Sequence, residues 1–272
     1  MSIDPTFLLL IAILLGGPVD RLDGPAAGEP PPGSVQMGTV YFDPENQEVV
    51  AVGWFNLVGG FIEYVACLPG IKSHETIVSL DCDPVDLKAA LLLLGVEEAP
   101  SPESDRDLRF LEGERLMLRL QFPIEDSQGR ALIRDIRVED CVLNAPMERE
   151  MARCGFLFTG SRFVEIEVPA GTGEGEATVL KEEFGARLTG ELVAICHRPY
   201  AILDNPLALP YIDGDYYAYP GVLPLLERDV RVPVSLVIRA PNRGEIDRGV
   251  TRMELPPRVR EESQQEDGMK KE

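Results

Sequence analysis

The chain has 272 residues and carries 46 Asp plus Glu against 26 Lys plus Arg, a formal net charge of −20. That balance excludes a general nucleic-acid binder, which needs clustered cations against phosphate, and it opposes docking on an anionic membrane. Hydrophobic residues at 44% suffice for a substantial core, and the composition is not that of a collagen, a coiled coil or a multi-span membrane protein.

The first element is the apolar run 7–15, FLLLIAILL. It is shorter than the about 20 residues that span a bilayer and has the length of a signal-peptide core. Residues 1–23 are therefore expected to be a signal peptide or an N-terminal apolar segment, at most a membrane anchor, of an exported, periplasmic or envelope protein. Residues 24–36 include GEPPPG and read as a linker. Export would permit disulfides among Cys67, Cys82, Cys141, Cys154 and Cys196, but five is odd and no C-x-x-C occurs. Cys141 and Cys154 flank a short loop and suit a bridge, while the same thiols also suit burial as small apolar residues. No iron–sulfur cluster is expected, since the ligand spacing is absent.

Strands follow. Residues 40–42 lead into the turn 43–46 and the β run 49–55, and residues 61–67 and 76–80 form further runs. The connections 56–60 and 68–73 are short, which predicts antiparallel pairing. Asp83 as N-cap, Pro84 at the first helical position and Gly95 as terminator bound a helix over about 84–94. Its apolar residues run almost all round, which predicts deep burial. Leu116, Leu118, Leu120 and Phe122 alternate with polar residues, as do Ile136 and Val138, across the turn 126–129. Residues 164–168, 188–196 and 232–238 complete the strands, and residues 241–272 read as a charged, disordered tail. The pattern predicts an α+β fold, a mostly antiparallel sheet with one buried helix, in one domain over 37–240 with two lobes as an option.

Chemistry-bearing residues concentrate in 67–75, CLPGIKSHE, where a thiol, an ammonium, an imidazole and a carboxylate surround a Pro-Gly turn. A thiolate near a cation would be activated, and a His beside a Glu suits a metal ligand or an oriented base. His197 is the second of two histidines, and a three-ligand metal site combining both with a cysteine is conceivable. The loop Asp213-Gly214-Asp215-Tyr216-Tyr217 holds only a fragment of a calcium motif, and GTGEGE at 171–176 is not a phosphate cradle.

The segments 61–75, 84–95, Glu139-Asp140, 156–163 and 190–206 together resemble the YdjY-domain family of exported bacterial proteins. The resemblance implies that Cys67, Lys72, His74 and Glu75 are the ligand-binding positions, with His74, Glu75 and Cys67 as candidate ligands of a divalent metal. It transfers no activity, and Cys141 stands where such proteins usually have Trp. The leading expectation is a non-catalytic envelope module that binds a metal or small ligand through this loop. The alternatives are an adaptor contacting an envelope protein and a thiol enzyme using Cys67 with His74.

Overall fold

The computed structural model describes residues 19–21, 30–107, 109–169, 178–207, 216–224, 226 and 231–247. The apolar run 7–15, the loop 171–176, Asp213 to Asp215 and the tail beyond 247 lie outside them. In chain order the strands are β1 (Val19–Arg21), β2 (Val35–Met37), β3 (Val40–Asp43), β4 (Glu48–Phe55), β5 (Gly60–Phe61), β6 (Tyr64–Cys67), β7 (Thr76–Leu80), β8 (Arg115–Glu125) and β9 (Ala131–Arg137). They continue as β10 (Val142–Asn144), β11 (Arg149–Glu150), β12 (Phe156–Phe158), β13 (Phe163–Pro169), β14 (Thr178–Phe184), β15 (Glu191–Ala194), β16 (Leu203–Asp204), β17 (Tyr216–Ala218) and β18 (Pro233–Arg239).

The fold class corrects the α+β expectation. Strand makes up 42% of the structure and helix 12%, and eight strands close into a barrel. The ring runs β4-β18-β8-β12-β16-β15-β6-β7 and back to β4. The closing strand is β18, which pairs antiparallel with β4 through Pro233 to Arg239 and with β8 through Ser235 to Arg239. The long strands β4 and β8 each divide one edge between two partners, β3 and β7 for β4, β9 and β12 for β8. Alternation in β8 sends Leu116, Leu118, Leu120 and Phe122 into the barrel core. At Gly53 the backbones of β4 and β7 approach so closely that a Cβ would strike the Ser79 carbonyl oxygen, so glycine is required there.

Two connections also depart from expectation. β6 and β7 are parallel neighbours, and so are β15 and β16. Parallel strands usually need a crossover of about a dozen residues, yet here residues 68–75 and 195–202 suffice. The reason is strand length. A four-residue strand is only about 13 Å long at about 3.3 Å per residue, a distance that eight residues retrace easily.

The helix Pro84–Leu93 starts where Asp83 accepts the Val85 N–H at 2.9 Å. It buries Pro84, Leu87, Ala90 and Leu91 beside β2, β3 and β4, while Leu92 and Leu93 are exposed. Deep burial is thus replaced by one-sided packing, with Leu87, Ala90 and Leu91 in the same core cluster as Leu118 and Phe122. The expected strand 188–196 divides into a helix Gly185–Thr189 and β15, with Gly190 at φ 74° ending the helix. The expected run 61–67 divides into β5 and β6, which belong to different sheets. No described helix is long and apolar enough to cross a membrane. None of the five cysteines is in a disulfide, and Cys141 and Cys154 are buried in the main core.

Candidate functional site

The two parallel returns enclose a polar cluster against β6 and β15. β6 and β15 are antiparallel, with Ala194 opposite Tyr64 and Glu191 opposite Cys67. The return 68–75 leaves β6 after Cys67 and rejoins the sheet at Thr76, opposite Tyr64. The return 195–202 leaves β15 beside Tyr64. Glu63 ties the two ends together, donating its N–H to the Glu75 carbonyl at 2.9 Å and accepting the Ile195 N–H at 2.9 Å. Tyr64 is thereby buried under both returns, in a small apolar cluster with Cys67, Ala194 and Ala201.

Side chains from both returns converge on the Tyr64 phenol. Lys72 Nζ donates to the phenol oxygen and to Glu191 Oε1 at 2.7 Å, and lies 4.5 Å from the Tyr64 ring centroid. Arg198 Nε donates to the same oxygen, its Nη2 donates to Glu63 Oε2, and its guanidinium lies 5.2 Å from the ring centroid. The phenol in turn donates to Glu191 Oε1 at 3.0 Å. Lys72 holds a left-handed backbone at φ 52°, a conformation of a side-chain-bearing residue that persists where its surroundings fix it. Glu191 is 5% exposed, Arg198 7% and Lys72 30%, so Lys72 is the solvent-side member.

Carboxylates outnumber the cations here. Glu63, Glu75 and Glu191 face Lys72 and Arg198, and Asp105 stands 3.9 Å from Arg198. Burial, and next the Glu63 charge, push the Glu75 carboxyl above its ordinary range. Burial, reinforced by the Glu191 charge, raises the Tyr64 phenol, so it acts as a hydrogen-bonding group and not as a base. Glu191 Oε2 is buried and has no hydrogen-bond partner among the described residues.

The sequence-derived positions separate. Lys72 and Glu75 belong to the cluster. Cys67 is fully buried on β6, and burial pushes its thiol up to about 12 despite hydrogen bonding to Thr76, which opposes an activated thiolate. His74 is 84% exposed and meets Glu75 only at 3.9 Å. His74, Glu75 and Cys67, the expected metal set, do not converge, and among the described residues no group of three or more His, Cys, Asp or Glu side chains could hold a metal ion. Glu63, Tyr64, Glu191 and Arg198 escaped sequence reasoning.

His197 is remote from His74 in role. It is fully buried, with Nδ1 2.8 Å from Asp204 Oδ1 and Nε2 3.0 Å from the Arg109 carbonyl oxygen. A carbonyl oxygen only accepts, so Nε2 carries a hydrogen, and facing an ionised Asp204 the Nδ1 carries one too, which makes the ring an imidazolium. Burial alone would lower its pKa, but the Asp204 hydrogen bond and charge, with the Arg109 carbonyl, outweigh that and raise it above 6.5. Asp204 also accepts the Arg198 N–H at 2.9 Å, so the pair fixes the backbone that presents Arg198. A raised folded-state pKa stabilises fully below the unfolded value of about 6.5 and is lost as pH rises through the folded value. The urea midpoint is expected to fall as pH rises from about 6.5 through that folded value, and His197→Gln is expected to flatten this dependence. A wild-type midpoint that rises over this interval contradicts the imidazolium assignment.

No family model, no curated protein and no solved structure matches the chain.

Proposed function

We propose that the chain is a non-catalytic binding module that takes a small organic cation, an alkylammonium group, at the Tyr64 cluster. The observation that carries this reading is the buried, unpartnered Glu191 Oε2. A buried carboxylate oxygen without a donor costs about 1–3 kcal/mol or more, and an ammonium supplies the missing donors. The surrounding chemistry suits that group. The cluster has an excess of carboxylates, Glu75 is raised by burial and by Glu63, and the Tyr64 ring already lies within cation–π distance of two cations. Lys72, the more exposed of the two, holds the same carboxylate through Oε1, so an incoming ammonium reaches Oε2 as the Lys72 side chain moves toward solvent.

The site keeps Lys72 and Glu75 from the expected 67–75 loop. Membership in the YdjY-like family and export to the envelope are part of the proposal, supported by the segments 61–75 and 190–206 and by the apolar run 7–15.

The test is titration of the full chain with propylammonium and with putrescine, followed by calorimetry and thermal melting, with propanol as the uncharged control. The amines are expected to bind saturably and raise the melting temperature. Glu191→Gln is expected to weaken binding at least about tenfold, since it removes a charge-assisted bond. Lys72→Ala is expected to strengthen it by removing the internal competitor. Absence of saturable amine binding to both wild type and Lys72→Ala defeats the reading.

A further inference from the structure

The two strands of the β13–β14 hairpin pair only with each other, and Phe184 at its base is buried in the main core. The register sets Phe163 opposite Phe184, Glu165 opposite Glu182, and Glu167 opposite Leu180. Opposed residues of an antiparallel pair share a face, so Phe163, Glu165, Glu167, Leu180 and Glu182 form one surface. The three carboxylates are exposed, Phe163 is 62% exposed and Leu180 65%. Among the described residues nine large hydrophobic side chains are exposed, and Phe163, Val179, Leu180 and Leu188 are four of them. They gather on this hairpin and the helix Gly185–Thr189 that follows it.

The charges on this face are one-sided. Lys181 opposes Ile166, on the other face, and pairs with Glu183 at 3.0 Å. No ion pair reaches Glu165, Glu167 or Glu182 among the described residues. Like charges directly opposite destabilise a strand pair, and a two-stranded ribbon is marginal alone. A surface that combines this repulsion with exposed Phe163 and Leu180 is relieved by a partner that brings cations and apolar side chains together. A second copy does not meet that need: it presents the same carboxylates and a net charge of −20.

We propose that this hairpin face docks an extended segment of a partner protein in which Lys or Arg and apolar residues take turns at every second position, so that both kinds lie on the side turned to the hairpin. Its cations oppose Glu165, Glu167 and Glu182, and its apolar side chains cover Phe163 and Leu180. The hairpin's free edges offer backbone hydrogen bonds for the same segment. This surface is independent of the Tyr64 cluster.

The experiment measures fluorescence anisotropy of a labelled Lys-Val peptide of two Lys-Lys-Val-Val repeats, which sets Lys and Val in turn along each side of the strand, with the full chain, against a Glu-Val peptide of two Glu-Glu-Val-Val repeats. The Lys-Val peptide is expected to bind saturably and the Glu-Val peptide not to bind. The triple variant Glu165→Gln, Glu167→Gln, Glu182→Gln is expected to weaken binding about tenfold, as three exposed charge pairs together supply. Phe163→Ser with Leu180→Ser is expected to weaken it comparably. A control triple at the exposed acids Glu97, Glu112 and Glu125 removes the same charge and is expected to change affinity by less than about twofold. Equal weakening by the two triples reduces the interaction to overall charge and overturns the proposal. So does absence of saturable binding, equal binding of the Glu-Val peptide, or wild-type self-association that the hairpin triple abolishes.

Discussion

Phe122→Ala is expected to lower the free energy of unfolding by about 3–5 kcal/mol, the largest effect of a single truncation in the barrel. Phe122 is fully buried on β8, and its ring meets Phe55 of β4 edge to face, with centroids 5.0 Å apart and planes at 89°. β4 and β8 are not neighbours in the ring; β18 lies between them. The aromatic pair therefore spans the interior behind the closing strand. Truncation removes the transfer free energy of the ring, opens a cavity that rigid strands fill poorly, and forfeits an edge-to-face contact worth about 0.5–1.5 kcal/mol. Domains of ordinary stability, about 5–15 kcal/mol, lose a large share of it to such a change. Urea unfolding at unchanged slope reads the loss directly. Phe122→Leu, which keeps most of the volume, is expected to cost less than half as much. A loss below about 1 kcal/mol for the alanine variant would show that the rings do not share a packed core.

The second large effect is Arg198→Ala, expected to cost about 3–5 kcal/mol because it leaves buried partners uncompensated. Arg198 donates to Tyr64, to Glu63 and, at 3.3 Å, to the His197 carbonyl. Its removal leaves Glu63, Glu75 and Glu191 opposed by Lys72 alone. Arg198→Lys is expected to recover little, since an ammonium cannot reproduce the forked geometry. Arg198→Ala combined with Glu63→Gln is expected to recover part of the loss, because the neutral amide no longer demands a cation. Strict additivity of the two substitutions would show that they do not interact.

Much of the local structure is legible in the residues. The alternation of Leu116, Leu118, Leu120 and Phe122 marks β8, the turn at Asp126 to Gly129 marks its hairpin with β9, and Asp83, Pro84 and Gly95 bound the helix. Closure of the barrel is not legible, because it depends on β18 pairing with strands far behind it in the chain, and alternation says which face is wet without saying which strand is adjacent. The parallel returns hide for a related reason: loop length alone suggests antiparallel pairing unless the strands' own shortness is counted. The Tyr64 cluster joins Glu63 and Tyr64 to Glu191 and Arg198 across the sequence, and no spacing rule links them. One signal was present. Glu191 opens an apolar run, and Arg198 closes one before Pro199. A charge inside a run destined for burial requires a partner, and these two find theirs in the same phenol.

The position of β18 governs the order of events during synthesis. Without residues 233–239, β4 and β8 each keep a full unpaired edge, the arrangement most prone to pairing with another chain. A nascent polypeptide must carry these edges until its last barrel strand leaves the ribosome, and closure is a long-range event that folds slowly. Premature termination just upstream of Pro233 thus yields nearly the whole hydrophobic core without its seam, a product suited to aggregation and to capture by chaperones.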